Sequence, residues 1–313
     1  MKSFLLLLVL VATACASDPV LPPKITDPPS LIKNEISEIP DSVSFGFWNI
    51  RWFPGHHPVK QDEESRKEQI NAVNGFIHKW DPTVLFACEI RDLDHWQKIK
   101  PRYPYLACTD IVRLESENAE LPQQGIAIMS RIPWEKIWTL DFSELPDTPD
   151  RPSRGMLGVQ FKLPDGKILT CYAFHLKSNR GGISETLVRR QRAVNYLEWD
   201  WERLGLDPKK DAILLLGDFN TSAQDPTFKE DRTIAMLQEL GFHHSAEGLP
   251  REERLTIPAS RYPANDFDHI MISDAAKQLL EGEPEVKQEA RDVPREVSDH
   301  SAVFLDVTRL FEK

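Results

Sequence analysis

Short apolar runs, rich in β-branched and aromatic residues and closed by Gly, Pro or Asp, recur along the chain. They predict strands over 43–48, 84–88, 125–130, 156–163, 168–174, 213–216, 267–272 and 302–307. The runs 156–163 and 168–174 flank Pro164-Asp165-Gly166-Lys167, a sequence that favours a tight turn, so they predict a hairpin. Elsewhere the period lengthens to that of a helix. Ile70, Val73, Ile77 and Trp80 share one face of 64–80. Leu187, Val194, Leu197, Trp201 and Leu204 repeat through 186–206. Ile234, Leu237 and Leu240 precede Gly241, which suits a C-cap. Strands outnumber helices, and hairpins mix with helical crossovers. The expected fold class is α/β, two packed and mostly antiparallel sheets with helices outside, in one domain over 42–313.

The first 41 residues follow a different pattern. Lys2, an apolar stretch over 4–11 and the small residues Ala12-Thr13-Ala14 predict an export signal over 1–14, too short to span a bilayer as a mature helix. Small residues directly before Cys15 are similar to a bacterial lipobox, which would make Cys15 a lipidated first residue and a membrane anchor. Residues 15–41 contain Pro19, Pro22, Pro23, Pro28, Pro29 and Pro40, so an extended spacer is expected. About 25 residues at roughly 3.1 Å each would hold the domain up to ~75 Å from a membrane. Cys88, Cys108 and Cys171 lie in apolar runs, where small core residues are expected. Export would permit a disulfide, with Cys88–Cys108 closing the shortest loop.

Charge narrows the function classes. Lys and Arg number 38 against 49 Asp and Glu, a net charge of −11. That argues against a protein that coats nucleic acid, but not against a nuclease, because a bound cation can supply local positive charge.

Polar residues with chemical capacity recur where the strands end: Asn49 after FGFW, Glu89 after VLFAC, His175 after CYAF, Asp218 and Asn220 after ILLLG, Asp268 within FDHIMIS, and Asp299-His300 before AVFLDV. Strand ends are where distant segments can converge on one rim. Hard divalent cations take oxygen ligands, which Glu89 offers. A His oriented by an Asp can take a proton from water or hold a phosphate, as His300 with Asp268 could. An Asn amide such as that of Asn220 can donate to a phosphoryl oxygen without adding charge.

The ordered words WNIR (48–51), ACEI (87–90), QGIAIMSR (124–131), FHLKSN (174–179), LLLGDFN (214–220), FDHIMIS (267–273) and SDHSAV (298–303) resemble the endonuclease/exonuclease/phosphatase superfamily, whose members include deoxyribonuclease I. The resemblance covers about 42–310 and implies a four-layer α/β sandwich. It implies that Asn49 and Glu89 hold a metal, that His175 binds phosphate or assists the leaving group, and that Asp218 and Asn220 orient water and phosphate. It also implies that Asp268 orients His300, that Asp299 sits by the metal or the phosphate pocket, and that Arg154 contacts phosphate. Cys88 stands where many relatives have Gln, and the Tyr of relatives that repair abasic DNA has no counterpart, which opposes that activity.

Lys177 and Arg180 follow His175 and could meet phosphate, and Arg51 follows the Asn49 word. Trp52 and Phe53 could stack on a base or pack inward. Arg189, Arg190 and Arg192 read as a solvated basic face, and His56-His57 and His243-His244 as structural or solvated pairs. The expectation is an exported bacterial phosphodiesterase, a periplasmic or cell-envelope lipoprotein or, as the alternative, a secreted protein, dependent on Mg²⁺, with Mn²⁺ or Ca²⁺ as alternatives, and acting as a nuclease on DNA or RNA. The rivals are a phospholipid or sphingomyelin phosphodiesterase or a phosphatase on the same core, and a non-catalytic binding lipoprotein.

Overall fold

Side chains alternate between the two faces of a strand, so each apolar run can serve two cores at once. The computed structural model of the protein describes residues 21–33, 40–56, 62–99, 103–110, 124–260, 263–280 and 288–312. The expected leader over 1–14 and Cys15 lie outside them. In chain order the elements are β1 (Lys24–Thr26), β2 (Ser30–Ile32), β3 (Ser44–Phe53), α1 (Glu63–Trp80), β4 (Val84–Ile90), α2 (Leu93–Trp96), β5 (Tyr105–Cys108), β6 (Gly125–Ser130) and β7 (Lys136–Asp141). They continue with β8 (Met156–Lys162), β9 (Ile168–His175), α3 (Ile183–Leu204), β10 (Ala212–Asp218), α4 (Thr233–Glu239), β11 (Phe242–His244), α5 (Arg251–Arg254), β12 (Asp268–Ser273), α6 (Asp274–Leu280), β13 (Glu289–Arg291) and β14 (Ala302–Asp306).

Two seven-stranded sheets result, ordered β13-β14-β3-β4-β6-β5-β2 and β1-β7-β8-β9-β10-β12-β11. The pairs β3–β4 and β9–β10 are parallel and the other neighbours antiparallel. Parallel neighbours need a crossover, and α1 and α3 supply the two. The α/β sandwich with flanking helices is therefore as expected. Among the described residues no helix is long and apolar enough to cross a membrane.

Alternation explains the packing. Phe45, Phe47, Val84, Phe86 and Cys88 join the core that contains the second sheet, while Trp48, Ile50, Leu85 and Ala87 face α1 through Val73 and Ile77. On the other sheet, α3 packs Val194, Leu197 and Trp201 into the core, and its buried Asp200 accepts hydrogen bonds from Trp138 Nε1 at 2.9 Å and Tyr172 OH at 2.8 Å. The same alternation separates Cys88 from Cys108, which belong to different cores. All three described cysteines are free, so the Cys88–Cys108 bridge does not form.

All eight expected strands form, and the three expected helices shift by a few residues at their ends. Asp62 caps α1 by accepting from Ser65 N at 2.8 Å, and Asp81 ends it in the left-handed region before Pro82. The described part of the proline-rich segment is extended, but it is paired rather than a bare spacer. Within it, β1 pairs with β7 and β2 with β5, so one extended stretch adds an edge strand to each sheet. Three-residue strands flanked by proline suit an edge, where one side needs no partner.

Candidate active site

Both parallel pairs end at the same rim. Asn49 lies where the regular pairing of β3 ends, Glu89 near the end of β4, and His175 and Asp218 close β9 and β10. Within the second sheet Asp218 is paired in register with His175 on one side and Asp268 on the other. The segment entering β14 brings Ser298, Asp299 and His300 to the same place.

The backbone there departs from regular strand. Pairing between β3 and β4 slips between Asn49 and Phe53, and pairing between β4 and β6 slips between Cys88 and Ile90. Arg51, Trp52, Glu89 and Asn220 have φ of 31°, 50°, 61° and 53°. Such conformations are cheap for Asn but cost roughly 1–3 kcal/mol elsewhere, and persist where surrounding contacts fix them. The irregularity re-aims side chains toward the rim. It also aims amides: Arg51 N donates to Asn49 Oδ1 at 3.0 Å, and Trp52 N to Glu89 Oε2 at 3.0 Å. With its oxygen so engaged, Asn49 turns Nδ2 toward Asp218 Oδ2 at 3.0 Å and Glu89 Oε1 at 3.3 Å.

Asp218 is the hub. Its Oδ2 lies 3.5 Å from His175 Nε2 and 3.9 Å from His300 Nε2, and its Oδ1 accepts from Asn220 N at 2.9 Å. His300 Nδ1 is 2.7 Å from Asp268 Oδ2. Burial, then the nearby Asp268, push Asp218 up to about 7, against the pull of His300, Asn49 and the Asn220 amide. Burial opposes charge on His300, yet Asp268 by proximity and hydrogen bond, then Asp218 and Asp299, together outweigh it and raise the imidazole to about 10. The Asp218 carboxyl thus holds its proton more tightly than an ordinary carboxylate, and a cation beside it would favour release of that proton.

The donor set fits a hard divalent cation. Glu89 is half-buried and offers carboxylate oxygen beside Asn49. Ligand atoms of Asp218, Asp268 and His300 all lie within 4.8 Å of one another. Among the described residues Asp268 Oδ1 is buried without a hydrogen-bond partner, and such an oxygen lacks compensation for its lost water.

The remaining expected residues sit around this centre. Asp299 is 3.7 Å from Arg51 at the rim, both partly exposed. Lys177 and Arg180 lie on the loop after β9, Lys177 Nζ donating to Arg180 O at 3.2 Å. Asn220 Nδ2 donates to Leu176 O at 3.1 Å, and its carbonyl accepts from Asn179 at 2.9 Å. Arg154 is buried behind that loop, its guanidinium held by Gln124 Oε1 at 2.8 and 3.1 Å and by Leu176 O at 3.1 Å. What the structure gives it is support of the loop.

Of the other expectations, that for Arg190 changes. Arg190 is fully buried and lies 2.6 Å from Asp231, so it is no part of a solvated basic face; its Nη1 donates to Lys177 O at 2.7 Å. Phe53 packs inward against Trp96, whereas Trp52 stays partly exposed. His244 is in a buried chain, its Nε2 2.6 Å from His269 Nδ1, whose Nε2 is 2.9 Å from Thr221 O. His56 is half-buried, and the field of Arg51 adds to burial in lowering its pKa; His57 lies outside the described residues. Sequence reasoning missed Ser298 as a tether: its Oγ donates to Asn49 O at 2.6 Å and accepts from His300 N at 3.1 Å. The signal was its place at the head of the SDHSAV word.

Comparison with known proteins agrees with this geometry. The structure is similar to that of D. rerio TDP2 complexed with single strand DNA product, at 17% identity and a TM-score of 0.56, over 85% of this chain and 98% of that one. It is similar to an endonuclease/exonuclease/phosphatase from Beutenbergia cavernae, at 19% identity and a TM-score of 0.58, over 85% and 71%. A third similar structure, the endonuclease/exonuclease/phosphatase from Bacteroides vulgatus, has 19% identity and a TM-score of 0.57, over 85% and 98%. No curated protein matches. At these identities the structures speak for the fold. The sequence profile of the Endonuclease/Exonuclease/phosphatase family matches residues 46–300, and the chain therefore belongs to that family, whose members hydrolyse phosphoester bonds.

Proposed function

We propose that this chain is a divalent-metal-dependent phosphodiesterase acting on nucleic acid, with Mg²⁺ as its cation. The observation that carries the reading is the convergence on Asp218 of the Asn49–Glu89 edge from one sheet and His175, with the His300–Asp268 pair, from the other. Glu89 and Asn49 would hold the cation, with the Asp218 carboxylate beside Asn49 as a further oxygen donor. A bound cation supplies positive charge to the phosphoryl and leaving oxygens.

The chain's own residues do the rest. Asp218, tuned to about 7, is the proton acceptor best matched to neutral pH, and it orients water through Oδ2. His300, held by Asp268 through Nδ1, presents Nε2 as a charged donor to a phosphoryl oxygen. Of the two roles open to an Asp-oriented His, the field of its carboxylate neighbours favours holding the phosphate. His175 and the Asn220 amide complete the donors, and Lys177, Arg180 and Arg51 line the approach of a polyanion.

Nucleic acid as substrate is supported by the TDP2 neighbour complexed with single strand DNA product. The test is Mg²⁺-dependent cleavage of plasmid DNA, RNA and sphingomyelin by the full chain, beside its His300→Ala variant. Nicking or degradation of nucleic acid that disappears in the variant is expected. Turnover of sphingomyelin alone would move the substrate to lipid.

The export signal over 1–14 and the lipobox-like Cys15 support placement in the cell envelope, as a lipoprotein. Because β1 begins at Lys24, the chain between Cys15 and the sheet can span no more than roughly 25 Å. The domain would then lie close to its membrane. The full chain should partition with membranes, and Cys15→Ser should release it; membrane partition unchanged in Cys15→Ser would contradict the anchor.

A further inference from the structure

Helix α1 turns the apolar stripe of Val73 and Ile77 toward the first sheet, yet one turn earlier the same stripe carries Gln69, only 1% exposed. An amide in such a position must be matched by hydrogen bonds. Gln69 directs both its oxygen and its nitrogen at two backbone segments, 50–55 and Val297. Its Oε1 accepts from Gly55 N at 2.6 Å, and its Nε2 faces Ile50 O, Arg51 O and Val297 O at 3.1, 3.2 and 3.1 Å.

These backbone groups bracket the turn that shapes the site. Arg51 and Trp52, in left-handed conformations, aim their amides at Asn49 Oδ1 and Glu89 Oε2. Val297 precedes Ser298, which ties Asn49 O to His300 N. One buried side chain therefore holds both the strained turn behind the cation-binding edge and the segment that delivers His300. No apolar side chain of that shape could do either.

We infer that Gln69 is a positioning residue, which acts through the Arg51–Trp52 turn to set the geometry of Asn49 and Glu89 for a divalent cation. The inference rests on the cation-dependent reading of the site. Residues that orient metal ligands typically change metal affinity or activity by 10–100-fold when replaced.

The test compares the full chain, Gln69→Met and Val73→Ala by Mn²⁺ titration calorimetry and by steady-state hydrolysis of an aryl phosphodiester. Gln69→Met removes every hydrogen bond at similar volume. Val73→Ala loosens the same stripe one turn away without touching the turn. Mn²⁺ affinity and kcat are expected to fall about 10-fold or more in Gln69→Met, with KM for the ester little changed, while Val73→Ala keeps both and loses only thermal stability. Should Gln69→Met not fold, Gln69→Asn, one methylene too short, is read in the same way and with the same expected losses. A folded Gln69 variant with wild-type Mn²⁺ affinity and kcat would overturn the inference alone. A Val73→Ala protein that loses Mn²⁺ affinity equally would overturn it too, by reducing the effect to helix packing. A wild-type chain that binds no Mn²⁺ would overturn the cation reading and the inference with it.

Discussion

Glu89→Ala leaves a folded protein that turns over phosphodiesters on the order of 10³-fold more slowly than wild type. The magnitude follows from the several kcal/mol by which a cation stabilises charge at a phosphoryl group, at 1.36 kcal/mol for each tenfold in rate. The fold should persist because Glu89 is half-buried and its hydrogen bonds come from Trp52 N and Asn49 Nδ2, which water can replace at the rim. Asn49 also keeps its bond to Asp218. Circular dichroism and thermal melting check the fold, and steady-state kinetics at saturating Mg²⁺ check the rate. Near-wild-type turnover in folded Glu89→Ala would remove Glu89 as a cation ligand.

His300→Ala lowers turnover by about 10²- to 10³-fold, the range for loss of one preorganised donor to the charge that develops on a phosphoryl oxygen. It should also lower stability, unlike Glu89→Ala. Asp268 is fully buried, its Oδ1 already lacks a partner, and its Oδ2 would lose the imidazole 2.7 Å away. Stripping one partner from a buried ion pair costs about 3–5 kcal/mol. His300→Asn separates the two effects, because its amide can still donate to Asp268 while carrying no charge to the phosphate. Recovery of the melting temperature without recovery of rate is expected. Recovery of both would mean that His300 serves only to neutralise Asp268.

The site was legible because its residues are the polar closures of apolar runs. In Asn49, Glu89, His175 and Asp218 a strand long enough to be recognised delivers its last side chains to one rim. Two kinds of feature were hidden. Edge strands such as β1 and β2 are three residues long and flanked by proline, too short to show alternation; their structure comes from β7 and β5, which nothing local announces. The supporting side chains were hidden by residue type. Arg190 stands four residues before Val194, and Gln69 four before Val73, so each falls on an apolar stripe that it interrupts. Read by charge, Arg190 looks like surface; read by period, both residues are buried and must have partners. Interruption of a stripe was thus the available signal for the second layer of the site. The left-handed backbone at Arg51, Trp52 and Glu89 had no such signal, because those residue types rarely adopt it.

Hydrolysis of bis(p-nitrophenyl) phosphate by the purified full chain, followed before chelation, after exhaustive chelation and after return of Mg²⁺, tests the central claim most directly. The account predicts nitrophenol release that falls to background without the cation and is restored with it. Release that survives exhaustive chelation, or a folded chain that hydrolyses nothing with Mg²⁺ or Mn²⁺ present, would contradict it.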